Sequence, residues 1–182
     1  PFIVISPEAL EHLEEEEVLA LLAHELGHIQ MGTLRYRVAA DMLSVLMSKT
    51  FRKTPLEVFA DSISLPIQQA LLSWRLHANL SADRSAILVL QEPRAVFSLL
   101  LKLGGGLNSR ASLDAFMRNA EGFDGENMVR WIDQYWQQFL FSRQMPSFPV
   151  WRAHEINNWS KPSRKGYGFQ DIVKIFAVGK EG

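Results

Sequence analysis

The 182-residue sequence contains no cysteine. That excludes a disulfide framework and any thiolate metal site, so a metal held here must take nitrogen and oxygen ligands. Neither sign of charge is in excess: 19 Lys and Arg stand against 20 Asp and Glu, a net charge of -1. With no basic stripe, no nucleic-acid partner is expected. Long hydrophobic runs are missing too. Residues 38–47 and 58–74 are the longest apolar stretches, and each is too short or is broken by charge or proline, below the roughly 20 residues a membrane-spanning helix needs. Pro1 is preceded by no signal-peptide pattern, as expected of a fragment or processed form, and membrane association would rest on segments outside this stretch.

What is present is the composition of a folded domain, 47% hydrophobic and 21% charged. The length suits one core and is too short for two, so residues 1–182 read as a single domain. The expected class is mainly α with some β. A β-branched run, Phe2-Ile3-Val4-Ile5, predicts a short edge strand, and Ser6-Pro7 reads as the N-cap and first residue of a short helix to Leu13. Glu14 to Glu17 look like a solvated acidic cap on the next helix.

That helix, Glu17 to Met31, carries the one stretch that specifies a chemistry: Ala23-His24-Glu25-Leu26-Gly27-His28-Ile29. At about 3.6 residues per turn, positions i and i+4 share a face, so His24 and His28 can offer imidazole nitrogens to one zinc ion. Glu25 follows the first histidine and is placed to take a proton from water activated by that ion. Such water has a pKa near 7, and the hydroxide it yields attacks a carbonyl; the reaction class is peptide hydrolysis. The alternative is an ordinary amphipathic helix on which two histidines and a glutamate coincide. Against it stand the apolar stripe Val18, Leu21, Leu22, Leu26, Ile29 and the stop at Gly32.

Downstream, helical spacing recurs over 34–49, 56–63, 66–90, 95–103, 113–120, 128–141 and 150–159, with a break near Pro66 and a flexible turn at Gly104-Gly105-Gly106. The triple glycine lacks the Lys-Ser/Thr of a phosphate loop. Trp131, Tyr135, Trp136 and Phe139 suit a packed core better than base stacking. Residues 172–178 read as a strand or docking segment. In the long helix, Asn79 and Asp83 are i and i+4 on one face.

The strand, the Leu-rich short helix, the acidic turn and Val18-Leu19-Ala20-Leu21-Leu22-Ala23-His24-Glu25-Leu26-Gly27-His28-Ile29 together resemble the HtpX and CAAX prenyl protease family of zinc metallopeptidases. So does Ser81-Ala82-Asp83-Arg84-Ser85-Ala86-Ile87-Leu88-Val89-Leu90-Gln91 through Gly105, in the manner of soluble-domain members from cyanobacteria and plastids, and so does Pro149-Val150-Trp151-Arg152-Ala153-His154-Glu155-Ile156. The resemblance implies a zincin-like fold of the gluzincin type, one zinc ion, a peptide or protein substrate, Glu25 as general base, and His24 and His28 as ligands. It implies that Asp83 orients a zinc-bound histidine, and it gives Arg152 a structural or substrate-side place.

The sequence departs from that pattern twice. Four residues before the Asp, where the family carries its third ligand, a glutamate, stands Asn79. Its neutral carbonyl oxygen is the only donor it can offer, so the site loses a negative charge and binds a dication more weakly. Six residues before Arg152, where the family carries His-Pro, stands Pro146-Ser147. His77 points roughly 160° away from Asn79 around the helix and is a poor replacement ligand; His154 is another remote one. Two functions follow: an active zinc endopeptidase, or a pseudopeptidase that keeps the fold and acts as a binding or regulatory module.

Overall fold

A computed structural model describes residues 2–36, 38, 39, 42, 57–105, 112–124, 148–161 and 168–178. The named helices within them are α1 (Pro7–His12), α2 (Glu15–Gln30), α3 (Glu57–Leu90), α4 (Arg94–Gly105), α5 (Leu113–Glu121), α6 (Pro149–Ser160) and α7 (Phe169–Val178). The class is mainly α, as the periodicity predicts, and no strand occurs among the described residues. The expected helix 128–141 and the Pro146-Ser147 pair lie outside them, as does most of 34–49.

Local signals place the first elements. Ser6 caps α1 by accepting the Ala9 N–H at 3.2 Å, with Pro7 in the first turn. Before it, Phe2 and Val4 are exposed while Ile3 and Ile5 are half-buried, the two-residue alternation of a strand. The segment is nonetheless unpaired rather than an edge strand, because no described backbone offers it a ladder.

Four further expectations are corrected. Helix α3 runs unbroken through Pro66: proline's fixed φ is itself helical, and its cost is one lost hydrogen bond and a local clash that a 34-residue helix absorbs. Gly104 and Gly105 close α4 instead of forming a loose turn. A Cβ at Gly104 would collide with the ring of Pro149, so this glycine lets the end of α4 meet the start of α6. Residues 172–178 belong to α7, so the β propensity of this stretch is overridden. Glu17, finally, is no solvated cap residue.

Helices α2 and α3 form the most extensive pair, with α4 against α2 and α6 closing over α4 and α5. The buried face of α2 is Glu17, Ala20, Ala23 and Gly27, not the larger apolar stripe; Leu26 is 55% exposed. Small side chains win this face because they permit close approach. A Cβ on Gly27 would lie 3.0 Å from Ser85 Cβ and 3.3 Å from Ala82 Cα on α3. Ile87 of α3, Val96 and Leu100 of α4 and Ile156 of α6 fill the core beside this seam.

Glu17 anchors the N-terminal turn of α2 to α4. It is 3% exposed; its carboxylate accepts from Lys102 Nζ at 2.6 Å, Ser98 Oγ at 2.5 Å and the Glu14 N–H at 2.8 Å. Lys102 also donates to the His12 carbonyl at 2.9 Å, tying in the end of α1. Burial alone would raise the Glu17 pKa; the hydrogen bonds from Lys102, Ser98 and Glu14 and the Lys102 charge outweigh it and hold the group below its ordinary value. Lys102→Ala strands a buried carboxylate and is expected to cost about 3 kcal/mol. Calorimetry should show the thermal midpoint falling by about 6–12 °C.

Candidate metal centre

The seam between α2 and α3 brings His24 and His28 of one helix against Asn79 and Asp83 of the other. The two imidazole rings have centroids 4.8 Å apart and stand nearly perpendicular, at 82°. The ridge of small residues makes this possible: with Gly27 between the histidines and Ala82 beside Asp83, side chains from the two helices meet directly.

Asp83 is the fixed point. It is 2% exposed, and Arg152 of α6, itself 5% exposed, grips it bidentately through Nε to Oδ2 at 2.7 Å and Nη2 to Oδ1 at 2.6 Å. His24 Nδ1 donates to Asp83 Oδ1 at 2.8 Å. Burial alone would raise the Asp83 pKa; the Arg152 charge, with the hydrogen bonds from His24 and Arg152, prevails and lowers it. An ionised Asp83 accepts the Nδ1 proton, so His24 keeps its Nε2 lone pair free, the arrangement of a metal-ligating histidine held by a carboxylate.

His28 Nε2 lies 3.2 Å from Asn79 Oδ1, and His28 Nδ1 lies 2.8 Å from the hydroxyl of Thr33. Burial and the neighbouring His24 hold the His28 imidazole below its ordinary pKa, against the weaker opposing pull of Glu25, Asn79 and Asp83. A neutral ring there has one lone pair to give. The donor set is therefore two imidazole nitrogens and one amide oxygen, which fits a borderline ion such as zinc better than calcium or magnesium. Among the described residues, no group of three His, Cys, Asp or Glu could hold a metal ion, and the third donor here belongs to an asparagine. Glu25, one residue after His24, is half-buried on the same helix.

The two histidines weighed as replacement ligands are committed elsewhere. His77 Nδ1 bonds the Ser73 carbonyl at 2.7 Å, and His154 donates from Nδ1 to the Ala120 carbonyl at 2.7 Å. Neither joins the site. An open groove of about 790 Å³ lies on the opposite side of α2, lined by Leu19, Leu22, Leu26 and Val89, and contains none of His24, Glu25 or His28. Two connections were not legible in the sequence. The Arg152–Asp83 pair spans 69 residues and leaves no local pattern. Thr33 carries a weaker signal: a hydroxyl directly after Gly32, which ends the helix at φ 67°.

Two histidines one turn apart, the glutamate beside them and a buried carboxylate orienting the first histidine define the HExxH class of metallopeptidase sites. The family model for peptidase family M48 matches residues 1–148, and the chain belongs to that family. It is 34% identical over 166 residues to plastoglobule-localized metallopeptidase 48, chloroplastic, of Arabidopsis thaliana, a match covering 88% of this chain and 46% of that protein. The chain thus spans less than half the length of that relative. No solved structure matches.

Replacing Arg152 by Met leaves Asp83 buried with His24 as its remaining partner, and is expected to cost about 3–5 kcal/mol at pH 7. The depressed Asp83 pKa means its contribution is complete above the ordinary carboxylate range and is lost as pH falls through the folded value. Without Arg152 the carboxyl titrates higher. The difference between natural chain and variant should therefore be greatest near neutrality and shrink on acidification, as denaturant midpoints measured from pH 7 to 3 would show.

Proposed function

We propose that residues 1–182 form one metallopeptidase-like unit that hydrolyses peptide bonds with a single zinc ion held by His24, His28 and, more weakly, Asn79. The observation that carries this reading is the His24–Asp83–Arg152 chain, which commits His24 Nδ1 and leaves Nε2 as the nitrogen free to bind an ion, on the helix whose next turn carries His28 beside Asn79. When bound, zinc supplies Lewis acidity, polarising a carbonyl and lowering the pKa of water to about 7.

The chain's own groups do the rest. Glu25 accepts the proton of the attacking water at a carboxylate oxygen and returns it to the leaving amide nitrogen. Asp83 keeps the His24 ring oriented, and Arg152 keeps Asp83 ionised. The unpaired backbone at residues 2–5 is a place where an extended peptide could add as a strand, in the β-augmentation mode. The substrate class is peptide or protein. The relative's name places that protein at the plastoglobule of the chloroplast. By that likeness, localisation at the plastoglobule is part of this proposal. No helix among the described residues is long and apolar enough to cross a membrane.

Asn79 favours a second reading. Without the carboxylate the site carries one negative charge fewer, and the chain would serve as a catalytically impaired pseudopeptidase, a binding or regulatory module. Glu25→Gln separates the two. In an active peptidase it should lower kcat on a peptide library by at least about 100-fold, with zinc content unchanged. Hydrolysis equal in variant and natural chain would remove the peptidase reading.

A further inference from the structure

Thr33 has one hydroxyl proton and two neighbours that compete for it. Its Oγ1 lies 3.0 Å from the His28 carbonyl oxygen and 2.8 Å from His28 Nδ1. The carbonyl is the group that needs the proton. At the end of α2, Gly32 swings to φ 67° and gives its N–H to the Ile29 carbonyl, three residues back, instead of to His28. The hydroxyl fills the place that this N–H vacates, closing the helix end as a side-chain cap.

Once that proton is on the carbonyl, Oγ1 can only accept, and His28 Nδ1 must carry the ring proton. We infer that Thr33 is a positioning residue: its hydroxyl, donating to the His28 carbonyl and accepting from Nδ1–H, holds His28 in the tautomer whose Nε2 lone pair faces Asn79 Oδ1. With Asn79 Oδ1 turned to this nitrogen, two acceptors then face each other at 3.2 Å with no proton between them, unless the amide turns to donate its Nδ2–H. A cation between the histidines and the amide relieves that opposition. The rival arrangement turns the hydroxyl proton onto Nδ1 and puts the ring proton on Nε2, where it bonds Asn79 and blocks the metal position. One rotor thus selects between a site ready for an ion and a site closed by an internal hydrogen bond. The same helix turn that stops α2 sets the chemistry of its last histidine.

This inference rests on the metal-centre reading for its purpose but not for its first test. Long-range proton–nitrogen NMR on metal-free protein labelled at histidine reports the tautomer of each ring directly. His28 is expected as Nδ1–H in the natural chain and in Thr33→Ser, which keeps the hydroxyl. In Thr33→Val it should shift towards Nε2–H. Zinc affinity, measured by competition with a chromophoric chelator, should fall by about 10- to 100-fold in Thr33→Val and return in Thr33→Ser. A loss of helix-end stability alone would lower the unfolding midpoint of Thr33→Val without moving the tautomer.

Nε2–H in the natural chain would overturn the assignment, as would a Thr33→Val variant with unchanged tautomer and affinity. If Thr33→Val does not fold, the natural-chain spectrum still decides. Should the natural chain hold His28 as Nδ1–H yet bind no zinc, the hydroxyl's role stands and the metal-centre reading fails.

Discussion

The buried carboxylate of Asp83 is the point on which three helices are hung. It receives His24 from α2, sits on α3 and is gripped by Arg152 from α6. Taking a carboxylate out of water costs several kcal/mol, and a single partner rarely offsets that. Two guanidinium hydrogen bonds and one imidazole N–H together do, which is why its pKa is lowered although burial pulls the other way. Arg152 donates and His24 donates; neither asks Asp83 for a proton. The orientation of the His24 ring is thus set by a group that titrates well away from neutrality.

Such an anchor works only if the helices can come close enough. A seam of alanine and glycine, Ala20, Ala23 and Gly27 on α2 with Ala82 and Ala86 on α3, trades apolar area for proximity. Leucines on this face would bury more surface, at about 25 cal/mol per Å², but would hold the imidazoles away from Asn79 and Asp83. Stability is recovered around the seam: Ile87, Val96, Leu100 and Ile156 are fully buried, and the Glu17–Lys102–Ser98 cluster locks the start of α2 onto α4. The site's geometry and its stability are carried by different residues.

The sequence makes some of this legible and hides the rest for physical reasons. His24, Glu25 and His28 are readable because i, i+4 spacing is a local property of a helix. So is the Ser6 cap. Asp83 and Asn79 are marked by their shared face and by resemblance to the peptidase family, whereas the Arg152 contact depends on tertiary packing that no local pattern encodes. Glu17 reads as one of four cap acids, and only the fold reveals which of them turns inward. The strand expected over 172–178 follows β-branched propensity, which tertiary context overrides in α7. Thr33 is not legible because, in sequence, a hydroxyl after a helix-stopping glycine looks like an ordinary turn residue.

Asn79 is the hinge between a working peptidase and a retained shell. Two histidines held at Nδ1, with a neutral amide beside His28, make a site with one negative charge fewer than a glutamate would give. Elemental analysis of zinc in untagged natural chain beside Asn79→Glu addresses this most directly. If the oriented histidines suffice, both proteins purify with about one zinc per chain, and the variant resists chelator longer because a charged oxygen replaces a neutral one. Zinc in Asn79→Glu and none in the natural chain would contradict the metal-centre reading and leave a fold that binds without cutting.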